Sequence, residues 1–186
     1  MGADIERWNR KYQRGNPNSD FEPDPILPAY KHLLHGTGKG LDVACGVGHN
    51  ARFLAQLGYE MVGVDGSVVG LQYGRDRVKQ EHLPIALIAA DLEQFAAPGG
   101  YFDLILVVRF LDRALIPRLK YALSEGGILI YKTFNRNWLL KRPDFPLHYV
   151  LERGELACLF QDFKTLATND SPLLGEPETF WIGLKP

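Results

Sequence analysis

The chain has 186 residues, a length that suits one well-buried core and is short for two comfortable domains. With 46% hydrophobic and 23% charged residues it has an ordinary globular composition, far from that of disorder. A formal net charge of −1 argues against a dedicated nucleic-acid binder, two cysteines cannot build a disulfide framework, and no Cys/His cluster has metal-site spacing.

Ile5 to Gln13 predicts a short helix, with Trp8 and Tyr12 four apart on one face. Its charged start lacks the apolar stretch of a signal peptide, and no run approaches the ~20 apolar residues of a membrane span, so a cytoplasmic location and no membrane association are expected. Arg7, Arg10, Lys11 and Arg14 form the one basic run, read as a solvated helix face, and a nucleic-acid partner is not expected. Gly15 to Pro28 carries Pro17, Pro23, Pro25 and Pro28 among Asn and Asp residues, which breaks regular structure and reads as an ordered arm. Pro28 to Leu34 is expected to be helical. Residues 1–38 together form an arm or lid over the site, mobile in the empty protein, and 1–186 is read as a single domain.

Gly40 to Cys45 predicts a strand, Gly46 and Gly48 a glycine loop, and Asn50 to Leu57 a helix with Phe53, Leu54 and Leu57 at helical spacing. Glu60 to Val64 is a second strand closed by Asp65 and Gly66, and Val68 to Gln80 a second helix. Pro84 to Ala90 is a third strand ending at Asp91. Phe102 to Phe110 is a fourth, apolar throughout, as a strand covered on both faces must be. Ala114 to Leu123 predicts a helix, Gly126-Gly127 a turn and Ile128 to Phe134 a fifth strand. Asn135 to Tyr149 is irregular, rich in Trp138, Lys141, Arg142, Phe145 and His148, and is expected to lie over the site. A helix over Leu151 to Phe160 and a hairpin of Phe163 to Thr168 with Thr179 to Leu184 complete the chain.

The chemistry concentrates in LDVACGVGHN, residues 41–50, followed by Asp65 at the end of the next strand. Glycines let a backbone approach a ligand closely, and the helix that follows presents unpaired N–H groups. A carboxylate at the tip of the second strand can accept both ribose hydroxyl protons. The loop does not by itself choose the cofactor, because Gly46-x-Gly48-x-x-Ala51 also satisfies a dinucleotide fingerprint. The residues ahead of the loop, the Leu123-x-x-Gly126-Gly127 element and the terminal hairpin favour a methyl donor.

These residues resemble the class I methyltransferases that bind S-adenosylmethionine, and among them the tellurite-resistance-type enzymes. LDVACGVGHN is similar to their first motif, VGVDGS to the second, AADLEQF to the third, and FDLILVVRFLDRALIPRL with EGG to the fourth strand and its helix. The resemblance implies an α/β fold with a Rossmann-like seven-stranded sheet, six strands parallel and the last antiparallel, and S-adenosylmethionine over the first two strand ends. By matching positions, Asp42, Ala44, Gly46 and Gly48 would hold the methionine portion, with Asn50 beside them. Asp65, Gly66 and Ser67 would hold the ribose side, Asp91 and Leu92 the adenine, and Arg109 would open the segment after strand four. Ala44 stands where a glycine is usual, and Ser171 to Glu178 lacks the His-Arg pair of the tellurite enzymes, which puts that substrate in doubt. Val108-Arg109-Phe110-Leu111 is unlike the Asn/Asp-Pro-Pro-aromatic tetrapeptide of enzymes that methylate nucleic-acid amines.

A sulfonium methyl is already activated, so alignment and water exclusion do most of the work. The acceptor is expected to be a small molecule, either a soft S, Se or Te nucleophile or a small oxyanion or carboxylate. Arg109 and Arg113 are candidate cations, Arg109 and Tyr12 the candidate catalytic residues, and Tyr12, Trp8 and Trp138 the aromatic walls. Each has a plainer reading: Trp8 and Tyr12 as a packed helix face, Arg113 as a surface residue, His49 and His148 as solvated loop residues, Lys141-Arg142 as a solvated pair, and Cys45 as a packed thiol. A nicotinamide-dependent oxidoreductase, or a non-catalytic subunit that binds the methyl donor, are the competing functions.

Overall fold

The computed structural model describes residues 2–14, 22–170 and 176–186. Half of the Pro-rich arm (15–21) and the middle of the hairpin connection (171–175) lie outside the described residues, and with them the mobility expected of the arm. The chain divides into two compact units, Met1–Phe95 and Ala96–Pro186.

In the first unit, helix α1 (Gly2–Arg14) and the short α2 (Ile26–Ala29) precede strand β1 (Lys39–Val43), helix α3 (His49–Gln56), strand β2 (Glu60–Asp65), helix α4 (Val68–Glu81) and strand β3 (Ile85–Ala89). β1, β2 and β3 pair in parallel, with Leu41 opposite Val62 and Gly63 opposite Leu87. The crossovers are helices because parallel neighbours cannot be joined by a tight turn. Cys45, Leu71, Val78 and Leu87 pack into one buried cluster beneath α4. The helix expected over Pro28–Leu34 is instead α2 followed by a 3-10 turn, Lys31–Leu33. Asp24 starts the turn early, its Oδ1 accepting from the Ile26 N–H at 3.0 Å, and Pro28 sits in the first turn, where no N–H is needed.

The second unit holds strand β4 (Phe102–Val108), helix α5 (Ile116–Ala122), strand β5 (Leu123–Phe134), helix α6 (Glu155–Leu159) and strands β6 (Lys164–Thr168) and β7 (Glu178–Leu184). β4 and β5 are parallel, while β7 is antiparallel to both β5 and β6. The core is aromatic: Trp181 is fully buried, stacks on Phe160 at 4.6 Å and meets Phe163 edge-on. Lys185 donates from Nζ to the carbonyls of Lys120 and Leu123, satisfying the end of α5.

Two expectations shift here. β5 begins at Leu123 rather than Ile128, the glycine pair being a register irregularity inside the strand instead of a turn before it. α6 begins at Glu155 rather than Leu151, because Leu151 is held extended by a bridge to Asn135 and Gly154 takes a left-handed φ of +75°. The irregular segment contains two 3-10 turns, Arg136–Leu140 and Leu147–Tyr149.

The seven strands run in the order β3-β2-β1-β4-β5-β7-β6. β7 runs antiparallel to both of its neighbours, as expected.

Candidate functional site

In the first unit the chain turns sharply after β1, and Gly46 (φ +57°), Gly48 (φ +75°) and Ala44 (φ +56°) all take left-handed backbone. A non-glycine residue tolerates this poorly, so Ala44 carries local strain at the position where the sequence departs from the usual glycine. The loop is tied to the next strand through Asp65. Its Oδ2 accepts from the Gly46 N–H at 2.8 Å and its Oδ1 from the Ser67 N–H at 2.7 Å. Each carboxylate oxygen can accept a second hydrogen bond, so two acceptor positions stand ready for a pair of hydroxyls. Burial pushes the Asp65 carboxyl above its usual range, against the pull of the Ser67 and Gly46 N–H groups.

Behind the loop, Asp42 is buried and its Oδ2 accepts from the Ala51 N–H at 3.1 Å, so it caps the first turn of α3. Loss of water raises its pKa to about 8, the Ala51 N–H lowering it and the Asp65 charge adding to the rise. Asn50 is also buried, its Oδ1 accepting from the Asp24 N–H at 2.8 Å, which pins the residues before α2 to the start of α3. Asp91 closes a turn through its acceptance from the Glu93 N–H at 3.0 Å, with Leu92 buried beside it.

Helix α1 lies on this loop. The Tyr12 hydroxyl sits where a Cβ on Gly46 would be, and the Tyr12 ring edge would be 2.8 Å from a Cβ on Gly70. Ile5 Cγ1 would be 2.9 Å from a Cβ on Gly66, so bare glycine backbone is what admits the helix. Asn9 fastens it: the Ser67 hydroxyl donates to Asn9 Oδ1 at 2.6 Å while accepting from the Gly70 N–H at the start of α4. Burial, then the charges of Asp65, Cys45 and Asp42, raise the Tyr12 phenol well above its ordinary value, so it stays protonated and can donate. Trp8 is exposed beside this contact, its ring centroid 6.0 Å from that of Tyr12 and Lys11 Nζ 4.2 Å from its own ring centre. Tyr12, Asp42, Ala44, Gly46, Gly48, Asp65, Gly66 and Ser67 are thus brought together. Asn9, which the sequence reading missed, joins them, and only its place on the face of Tyr12 and Ile5 signalled it.

Arg109 belongs to the second unit, at the end of β4, with a left-handed φ of +55° and its Nε 2.7 Å from Glu178 Oε1. Lys132 Nζ lies 2.9 Å from Glu178 Oε2. Arg113 is neither a bare surface residue nor poised for catalysis: it is clamped on Glu155 and on the carbonyls of His148 and Val150. Trp138 stacks on Phe134 at 4.4 Å. Cys45 is a packed thiol, its pKa raised by burial. Among the described residues no group of three His, Cys, Asp or Glu could hold a metal ion, and no helix is long and apolar enough to cross a membrane.

Residues 41–127, which span the glycine loop, Asp65 and β4, match the methyltransferase domain family. In sequence they resemble a methyltransferase domain. A ubiquinone biosynthesis O-methyltransferase of Rhodopseudomonas palustris (strain HaA2) is 27% identical over 103 residues, 53% of this chain and 40% of that protein. The chain therefore spans about two-fifths of the length of the curated relatives it matches. A SAM dependent methyltransferase from Aquifex aeolicus shares the fold with a TM-score of 0.69 at 14% identity, covering 100% of this chain and 99% of that one. TehB from Haemophilus influenzae does so with a TM-score of 0.71 at 16% identity, over 87% and 62% of the two chains.

The strand order agrees with a class I methyltransferase and departs from the dinucleotide-binding sheet, whose strands run 3-2-1-4-5-6. Here antiparallel β7 stands between β5 and β6, an arrangement the dinucleotide-binding sheet lacks. S-adenosylmethionine is the cofactor of such a domain. The residues fit it: a half-buried carboxylate aligned by two N–H groups suits a ribose diol, and bare glycine backbone at Gly46 and Gly66 suits close approach of a nucleoside.

Proposed function

We propose that the chain transfers a methyl group from S-adenosylmethionine to a small-molecule acceptor. The observation that carries this is Asp65, held by the Gly46 and Ser67 N–H groups at the ends of β1 and β2 with an acceptor position open on each oxygen. Asp65 takes the ribose hydroxyls, each charge-assisted bond worth on the order of 1.5–3 kcal/mol. Gly46, Gly48 and Ala44 line the methionine portion, with Asp42 and Asn50 holding that loop from behind. Gly66 and Ser67 flank the ribose, and Asp91 and Leu92 bound the adenine. When bound, the cofactor supplies a methyl already activated on a sulfonium. What remains for the protein is alignment of the acceptor and exclusion of water, together worth roughly 7–11 kcal/mol where alignment is good.

Tyr12 closes this cradle from α1. Its protonated hydroxyl donates to an acceptor atom of the bound cofactor once the helix has made room, and its ring keeps water from the loop. Arg109 serves as a cation for an acceptor that bears or develops negative charge. The acceptor is a soft S, Se or Te nucleophile or a small oxyanion or carboxylate.

Calorimetric titration with S-adenosylhomocysteine and with NADH tests the cofactor assignment. S-adenosylhomocysteine is expected to bind, and Asp65→Ala to abolish it. Binding of NADH alone would remove the proposal. Transfer of labelled methyl to thiol, selenite, tellurite and carboxylate acceptors then tests the reaction.

A further inference from the structure

Leu87 is the one buried residue of β3: Ala86, Ile88 and Ala89 are exposed and Ile85 is half-buried. Its side chain fills a socket that three glycines leave open, one each from β2, α4 and the glycine loop. A Cβ on Gly63, which stands opposite Leu87 in the ladder, would lie 2.7 Å from Leu87 Cδ2, and a Cβ on Gly74 would lie 2.9 Å from Cδ1. Both are nearer than packed carbons come. A Cβ on Gly48 would lie 3.3 Å from Cδ2, so this leucine is the floor beneath the second glycine of the loop. Helix α4 bears on the same loop directly, since a Cβ on Gly74 would be 2.5 Å from the Val47 carbonyl oxygen. Cys45, where the loop begins, packs with Leu87, Leu71 and Val78. Arg75 completes the seat by donating from Nη2 to the Leu87 carbonyl at 2.9 Å, which ties the backbone of β3 to α4 one residue past Gly74.

Plain core packing asks for none of this. Glycine weakens the interior of a helix and of a strand, and Gly74 and Gly63 stand in such interiors. Their bare backbone lets one side chain reach the underside of the Gly46–Gly48 turn. Under the reading proposed above, that turn lines the methionine portion of the cofactor. The ribose carboxylate has a hold of its own, because Asp65 Oδ1 accepts from the Ser67 N–H at the start of α4, outside the loop.

We infer that Leu87 is a positioning residue for the cofactor: it sets the height of the Gly46–Gly48 turn, and so the place of the methionine portion relative to the ribose, without touching either. The sulfonium lies between those two portions of the molecule, so their spacing aims the methyl group, and alignment is what the protein supplies. The inference rests on the methyl-donor reading of the loop.

Calorimetry on the full chain tests it with S-adenosylhomocysteine and with 5′-methylthioadenosine, which keeps adenine, ribose and sulfur and lacks the amino acid. Leu87→Ala empties the socket and is expected to weaken S-adenosylhomocysteine by about tenfold or more and 5′-methylthioadenosine by less than about threefold. Leu87→Met fills nearly the same volume and should bring S-adenosylhomocysteine back to within about threefold of the parent. Should Leu87→Ala fail to fold, Gly74→Ala reads the contact from the other side: it gains helix propensity while its methyl presses on the Val47 carbonyl, and the same unequal loss is expected. Equal losses for the two ligands, or unchanged S-adenosylhomocysteine binding in both alanine variants, would reduce Leu87 to packing and overturn the inference. Failure of 5′-methylthioadenosine to bind parent protein that binds S-adenosylhomocysteine would overturn it too, since the ribose end would then have no hold of its own. Parent protein that binds neither ligand would instead sink the methyl-donor reading and the inference with it.

Discussion

Arg113 grips Glu155 with a two-pronged ion pair, Nε to Oε1 at 2.6 Å and Nη2 to Oε2 at 3.0 Å, and donates as well to the carbonyls of His148 at 2.7 Å and Val150 at 3.0 Å. One guanidinium thereby fixes the segment between the second 3-10 turn and α6. The Glu155 carboxylate also accepts from the Glu152 N–H at 2.8 Å, extending the grip to the residues before the helix.

Arg113→Lys is therefore not conservative, since an ammonium cannot make the fork or reach both carbonyls. With its side chain 41% exposed, solvent screening limits the loss to about 1–2 kcal/mol. Urea unfolding of Arg113→Lys and Arg113→Ala should give similar losses. A lysine variant as stable as the parent would show that the fork is dispensable.

Asp42 makes stability depend on pH. Its carboxyl titrates at about 8 in the folded chain and at the ordinary 3.8 when unfolded, so between those values the native state holds the extra proton. Stability then falls as pH rises from about 4 to about 8 and levels off beyond. Asp42→Asn cannot titrate and keeps an oxygen for the Ala51 N–H, so its Tm should change less between pH 5 and pH 8 than the parent's. Parallel Tm curves for the two proteins would contradict this origin of the slope.

Gly46→Ala should cost on the order of 1–3 kcal/mol, from the left-handed φ and from collision of the new methyl with the Tyr12 hydroxyl. Tyr12→Phe removes the oxygen and so the collision but leaves the φ penalty. A double-mutant cycle by denaturation should show coupling of roughly 0.5–2 kcal/mol, Gly46→Ala being milder in the Tyr12→Phe background. Additive effects would mean that α1 does not rest on the loop.

The Ser67 hydroxyl has two duties that substitution can separate. Ser67→Ala loses the cap of α4, about 1 kcal/mol, together with the bond to Asn9. Asn9→Ala loses the bond alone. Both should speed trypsin cleavage at Arg10, Lys11 and Arg14, while Ser67→Ala alone lowers Tm appreciably. Unchanged cleavage in both would show that this hydrogen bond does not hold α1 down.

Much of the first unit was readable because its signals are local. The apolar run before Gly46, the helical spacing of Phe53, Leu54 and Leu57, and the carboxylate closing the next strand each fix an element within a few residues. The same locality explains why Ser67 could be placed beside Asp65, one N–H beyond a strand end. What the sequence hid were relations across distance. Arg113 read as a surface residue because its partner is 42 positions away, and nothing near Lys132 in the chain marked it, because Glu178 lies across the β5–β7 ladder. The start of α6 was misjudged for a similar reason: Leu151 suits a helix by its neighbours, yet its bridge to Asn135 draws it into extended backbone.

The antiparallel placing of β7 between β5 and β6 has a consequence for how the second unit is made. β6 precedes β7 in the chain, so as a nascent polypeptide leaves the ribosome β5 has only β4 along one edge and β6 lacks its β7 partner until residues 178–184 emerge. For that interval two half-formed ladders expose unpaired amides beside the aromatic surface of Phe160 and Phe163, the condition in which strands of neighbouring nascent chains adhere to one another. The insertion of Trp181 closes both ladders at once and puts those rings out of reach.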